Sequence, residues 1–190
     1  MKSTKKTILL SLILLTIGFV SCNQNLSEEW FKAGDKPENY KIGLDNSIVQ
    51  NGERSAYIES TKNKTNGFGT LMQTCNTVDY SGKRIKITGY IKTENVTDWS
   101  GMWLRIDPIK SISAEYFDNM GNRPIKGTTN WTKYKIVLDV PTNSNSMNFG
   151  VLLKGNGKVW IDNLNIEIIG TTKEKFNDSL NVGVKQIMDK

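Results

Sequence analysis

Met102-Trp103-Leu104-Arg105-Ile106-Asp107 alternates apolar and polar side chains over six residues. A period of two is that of a pleated strand, so Met102, Leu104 and Ile106 share one face and Trp103, Arg105 and Asp107 the other. The same alternation recurs on both sides of this stretch. Upstream, Ile85, Ile87 and Ile91 alternate with Arg84, Lys86, Tyr90 and Lys92. Downstream come Tyr134, Ile136, Leu138 and Val140, then Met147, Phe149, Val151 and Leu153. Turn chemistry separates the runs at Asn51-Gly52, Asn66-Gly67, Ser81-Gly82, Pro141 to Asn145 and Gly155-Asn156-Gly157. The pattern predicts an all-β domain over residues 25–169, an antiparallel β-sandwich or jelly roll.

In the last strand Val159 and Ile161 have one parity, whereas Leu164, Ile166 and Ile168 have the other. A one-residue slip turns every side chain to the opposite face, so a bulge is expected near Asp162-Asn163. From residue 170 to 190 the alternation stops. Phe176, Leu180, Val184 and Ile187 have helical spacing, but Gly183 interrupts it and a polar C-terminal tail is expected.

Composition removes much chemistry from consideration. The 190 residues include no His and two Cys, which takes away the commonest general base and any zinc cluster. The N-terminus reads as a targeting segment. Lys2, Lys5 and Lys6 precede an uncharged run from Ile8 to Val20, which ends at Ser21-Cys22. The run is short of the roughly 20 residues of a membrane-spanning helix. The order basic, apolar, small, Cys resembles the signal and lipobox of bacterial lipoproteins, with Phe19-Val20-Ser21-Cys22 as the box. That resemblance implies a signal peptide over 1–21, acylation of Cys22, a tether over 22–24, and a place in the cell envelope, anchored to a membrane after secretion. Without Lys2, Lys5 and Lys6 the 25 basic side chains become 22, against 19 acidic, a net charge of +3. No basic block remains of the kind that marks a nucleic-acid surface, so nucleic acid is not an expected partner. Cys75 is then the remaining side-chain thiol and is expected to pack as a small hydrophobe.

Strand parity also supplies the candidate site. An indole, a guanidinium and a carboxylate in one row, from Trp103, Arg105 and Asp107, suit a polar ring-shaped ligand: the ring covers C–H surface and the charged groups bond hydroxyls or a carboxylate. The chain has four Arg among its basic residues, Arg54, Arg84, Arg105 and Arg123. Arg105 and Arg123 flank Phe117-Asp118-Asn119-Met120, within the longest stretch without clear alternation. Asp118, Asn119 and Arg123 therefore join the row as ligand-binding candidates, with Gln73 and Trp160 as secondary ones. Trp103 is expected off the core, so that Trp103→Ala would leave the fold intact. The alternative is a cross-strand ion pair between Arg105 and Asp107 beneath a packed Trp. Catalysis is not expected. A pair such as Asp107 with Asp118 or Glu115 has the residue types of a glycosidase, but small sandwiches seldom hold the deep cleft that chemistry needs. No nucleophile elbow or phosphate-binding Gly loop is present in the sequence.

Several segments resemble the carbohydrate-binding modules of the galactose-binding-like jelly-roll group. Asn25-Leu26-Ser27-Glu28-Glu29 resembles its first strand and Gly52-Glu53-Arg54-Ser55-Ala56-Tyr57-Ile58 its second. Trp131-Thr132-Lys133-Tyr134, followed by Val140-Pro141, resembles a late Trp-led strand, where Trp131 would pack structurally. Val159-Trp160-Ile161-Asp162-Asn163-Leu164 resembles the closing strand. Phe68-Gly69-Thr70-Leu71-Met72-Gln73, Trp103 to Asp107, Phe117 to Met120 and Arg123 to Thr129 are similar to an accessory jelly-roll segment of AraC-type transcription regulators. The resemblance implies non-catalytic binding of a carbohydrate or similar small polar ligand. An adaptor or structural lipoprotein, with the same face contacting a protein partner, is the alternative. No cofactor is implied beyond the structural calcium that many such modules hold, for which Glu28, Glu29 and Asp162 are the candidate oxygen ligands.

Overall fold

A computed structural model describes residues 30–62, 64–109 and 116–172. Nine strands make up the described part: β1 Phe31–Gly34, β2 Tyr40–Asp45, β3 Ser55–Ser60, β4 Phe68–Asn76, β5 Lys83–Pro108, β6 Phe117–Asp118, β7 Ile125–Asp139, β8 Ser144–Lys154 and β9 Lys158–Thr171. Every pairing is antiparallel. Two layers result. In one the order is β1-β4-β8-β5-β6, and in the other β2-β3-β9-β5-β7. This is the jelly-roll β-sandwich that the alternation predicts.

The 26-residue β5 belongs to both layers. Its first half, to Glu94, pairs with β9, and its second half, from Trp99, pairs with β8. Between them the register against β7 shifts three times, and Asn95 takes a φ of 53°, in the left-handed region. Bulges of this kind bend a strand, and here they carry β5 around the edge of the sandwich. The sequence suggests two separate strands at 84–92 and 102–107; the structure joins them through this corner.

Between the layers the parity assignments hold. Ile85, Ile87, Ile91, Met102, Leu104, Ile106, Met147, Phe149, Val151 and Leu153 are all fully buried in one continuous core, with Ile58, Leu71, Ile136 and Val159. Cys75 is partly buried against it. The bulge in β9 is present. Between the pairs Tyr90↔Asp162 and Thr88↔Asn165, β5 advances two residues and β9 three, and Asn163 has a φ of 51°. Leu164 therefore packs back against the same core as Ile161.

Three differences stand out. Tyr40–Asp45 forms a strand that the sequence reading passed over. Its alternation of Tyr40, Ile42 and Leu44 is short, and on the opposite face the Tyr57 ring lies where a Cβ of Gly43 would stand. Trp131 is only partly buried and lies outside the main core, not packed within it as expected. The last strand extends to Thr171, past the expected end of the domain at 169. The signal segment 1–21, the tether with Cys22, the first-strand segment 25–29 with Glu28 and Glu29, Glu115, and most of the tail (173–190) lie outside the described residues.

Candidate functional site

The outer face of the β1-β4-β8-β5-β6 layer is built by rows of side chains set by register. One row runs Phe31, Met72, Gly150, Trp103, and the next runs Thr74, Asn148, Arg105, Phe117. Gly150 leaves a gap in the first row. A Cβ there would stand 2.0 Å from the carbonyl oxygen of Leu71, so the close approach of β8 to β4 requires glycine. At Gly101 the missing side chain is replaced by the backbone of Asn119 and the side chain of Met120. The result is a groove of about 600 Å³.

Its floor is Met72, Trp103 and Leu152, a small apolar cluster separate from the main core. Trp103 is 7% exposed, and its indole N–H donates to Thr70 Oγ1 at 2.7 Å. Thr70 in turn donates to the carbonyl of Val151 at 3.0 Å. The expectation that Trp103 lies off the core is therefore right about the face and wrong about the burial: it forms the groove's own floor, and its N–H is already bonded. The rim is aromatic. Phe31 (43% exposed), Phe68 (37%) and Phe117 (41%) line the groove with Trp99. Exposed phenylalanines cost free energy in water, and their convergence on one concavity marks a contact surface.

Polar groups are few and held in place. Arg105 donates from Nε to Asp107 Oδ1 at 2.7 Å and from Nη2 to Oδ2 at 3.0 Å. Asn148 Nδ2 also donates to Asp107 Oδ2, at 2.8 Å, and Thr74 Oγ1 donates to Asn148 Oδ1 at 2.6 Å. Arg105 and Asn148 line the groove, as do Asn119 and Lys154. Both sequence readings of Trp103, Arg105 and Asp107 thus meet in one arrangement. Trp103 and Arg105 line the groove, whereas Asp107 stands behind Arg105 and pairs with it within their own strand, not across strands.

Asp118 and Arg123 do not line the groove; they lock the loop that carries Asn119. Arg123 Nη2 donates to Asp118 Oδ2 at 2.7 Å, and Asp118 Oδ1 accepts from the amide of Met120 at 2.8 Å. Met120, with a φ of 62°, is fully buried in the main core and pins the loop from below. Asn119 Oδ1 accepts from the amide of Gly121. Gln73 lies elsewhere. It pairs in register with Phe149, a core residue, and has the parity opposite to Thr70 and Met72, so its side chain faces the interior.

Trp160 is also apart from the groove, on the other layer. Opposite in parity to Val159 and Ile161, it is nonetheless only 3% exposed, and its indole N–H donates to Asp45 Oδ2 at 2.9 Å. That bond, with the amides of Ser47 and Ile48 and the ammonium of Lys158, holds the Asp45 carboxyl below its ordinary range. Lys158 Nζ lies 4.6 Å from the Trp160 ring centre and 4.2 Å from that of Tyr57. Asp162, the described member of the calcium set, accepts backbone amides from Gln50, Asn51 and Asn163. Among the described residues no group of three or more His, Cys, Asp or Glu is placed to hold a metal ion. Asp162 anchors the 50–51 loop through these bonds, and Glu28 and Glu29 lie outside the described residues.

What the sequence reading missed is the phenylalanine rim and the glycines beneath it. Phe31, Phe68 and Phe117 each stand at a strand start, where alternation is too short to assign a face.

Comparison with known proteins supports the fold. The xylan-binding CBM22-1 domain of Paenibacillus barcinonensis Xyn10C superposes with a TM-score of 0.55 at 12% identity, covering 77% of this chain and 89% of that one. The C-terminal family 22 carbohydrate-binding module of Clostridium thermocellum Xyn10B gives 0.53 at 15% identity, covering 80% and 92%. The enzymatically active domain of bacteriophage CBA120 tailspike protein 4 gives 0.57 at 14% identity, over 75% of this chain and 20% of that one. In sequence, the chain is 42% identical over 149 residues to YbfP of Bacillus subtilis (strain 168), an uncharacterized HTH-type transcriptional regulator. The match covers 78% of this chain, which spans about half the length of that relative. No protein-family model matches the chain.

Proposed function

We propose that the groove binds a carbohydrate, without catalysis, in a protein held at the cell envelope by a lipidated Cys22. The observation that carries this reading is the groove itself: an indole floor, an aromatic rim, and a few fixed hydrogen-bonding groups. Aromatic faces cover the C–H patches of sugar rings while amides and a guanidinium bond their hydroxyls. Phe31 on β1 and Phe117 on β6 stand four strand spacings apart, about 19 Å at about 4.8 Å per strand, which suits a ligand several rings long. The jelly-roll neighbours described as carbohydrate-binding modules support the same reading.

The non-catalytic reading rests on the carboxylates nearest the groove. Asp107 is paired with Arg105 and Asp118 with Arg123, which suits neither to shuttle a proton. The membrane anchor rests on the sequence around Cys22. Metabolic labelling with a radioactive fatty acid tests it: label should enter the wild type and be absent from Cys22→Ser.

Thermal shift of the purified protein against neutral oligosaccharides, uronic acids and calcium tests the binding. A ligand that binds the native state raises Tm with concentration. A glycan-dependent rise that Phe117→Ala removes supports the proposal, and no response to any glycan overturns it. The apolar rim also favours a second reading, contact with a protein partner, as in an adaptor or regulator accessory domain. Free glycan would then leave that contact unchanged.

A further inference from the structure

We infer that Asp107 is a specificity-determining residue, an internal counter-ion that reserves the groove for uncharged ligands and turns away carboxylated ones. The inference rests on the carbohydrate reading of the groove and narrows it to a class.

A guanidinium open to an aromatic groove is a fork for carboxylates, because its planar N–H pairs match the two oxygens. Here the edge of the fork formed by Nε and Nη2 is already filled, and the guanidinium charge is balanced. Asp107 receives both Nε and Nη2 of Arg105, at 2.7 and 3.0 Å, from two residues along the same strand. Its side chain is the more shielded of the two, 22% exposed against 40% for Arg105. It is held from behind by Asn148, which Thr74 holds in turn, so the arrangement spans β4, β8 and β5. An exposed ion pair alone contributes little, but three hydrogen bonds converge on this carboxylate and fix its position.

Among the described residues, the other charged side chain lining the groove is balanced too: Lys154 Nζ lies 3.1 Å from Asp98 Oδ2. The charged side chains described in the groove are therefore both paired, although the chain as a whole is basic. A uronate would have to share Arg105 with Asp107, taking the N–H groups that Asp107 leaves, with its charge facing a second carboxylate, and like charges placed together oppose binding. A neutral sugar meets no such opposition. The guanidinium has five N–H donors, two of which are used by Asp107, and the remainder can bond hydroxyl oxygens.

The test is affinity electrophoresis at physiological ionic strength in gels containing polygalacturonate or unsubstituted β-1,4-xylan, with mobility normalised to gels without polysaccharide. Wild type, Arg105→Gln, Asp107→Asn and the double variant Arg105→Gln/Asp107→Asn are compared. The wild type should pass the polygalacturonate gel unretarded. Asp107→Asn should be retarded with at least about tenfold stronger apparent affinity, as one freed charge-assisted fork warrants. The double variant, which restores the wild-type net charge, should lose that retardation. Asp107→Ser gives the same comparison if the amide disturbs the Asn148 contact, and circular dichroism reports folding. Retardation of the wild type by polygalacturonate that Arg105→Gln removes would overturn the inference, as would Asp107 variants that migrate like the wild type. The xylan gel and other neutral glycans judge the carbohydrate reading separately. If none retards the wild type, that reading fails while the polygalacturonate lanes still decide the role of Asp107.

Discussion

The indole N–H of Trp103 on β5 reaches across β8 to the hydroxyl of Thr70 on β4, at 2.7 Å. The bond crosses the floor of the groove and ties three strands through one side chain, because the same hydroxyl donates onward to Val151 on β8. The groove floor is therefore part of the fold's stability as well as its binding surface.

Thr70→Val would leave the Trp103 N–H buried without a partner and should cost about 1–3 kcal/mol. Trp103→Phe removes the donor and should cost less than Trp103→Ala, for which about 3 kcal/mol or more is expected. In the double variant Trp103→Phe/Thr70→Val the two losses should sum to less than their separate values. Urea denaturation of the four proteins measures the coupling. Additive losses would mean that the bond contributes nothing.

The rim behaves differently from the floor. Phe117→Ala and Phe68→Ala remove exposed rings, so stability should change by about 0.5 kcal/mol or less. Glycan affinity should fall about tenfold or more if the rings stack on sugar. Thermal melts and calorimetric titration of the same variants separate the two effects. A large loss of stability with unchanged affinity would place the rings in packing and remove them from the site.

Asp45 supplies a pH dependence. Its carboxyl is held below its ordinary range first by the Trp160 N–H, then by the amides of Ser47 and Ile48 and by Lys158. A depressed folded-state pKa stabilises the protein above the unfolded value, and that contribution is lost as pH falls through the folded one. The stability gap between wild type and Asp45→Asn should therefore be full at neutral pH and close below about pH 4. Denaturant melts at a series of pH values follow it; a gap that widens on acidification would contradict the assignment.

At the alkaline end Tyr40 has the opposite sign. Its buried hydroxyl donates to the carbonyls of Gly67 and Gly155, and burial together with the nearby Asp35 charge pushes its pKa up to about 12. The neutral phenol is favoured in the fold, so its contribution is full below about pH 10 and is lost as pH rises toward 12. Burial also raises the Tyr134 phenol, so tyrosinate absorbance should show late titration in which the step near pH 12 belongs to Tyr40, and Tyr40→Phe should remove that step.

Sequence alone determined the longer strands and their faces. Period two is a local property: Met102, Leu104 and Ile106 had to point one way and Trp103, Arg105 and Asp107 the other, whatever lay beside them. The bulge at Asp162-Asn163 was legible for the same reason, as a break in parity within a few residues. Neighbours were not legible. Strand order and register are set by pairing between distant segments, so only the tertiary structure could bring Thr70 to Trp103, place Asn148 behind Asp107, and turn Gln73 inward while Thr70 and Met72 face out. It also decided that Phe31, Phe68 and Phe117, far apart in the chain, meet around one groove. Each stands at the start of a strand, where alternation has too few residues to name a face.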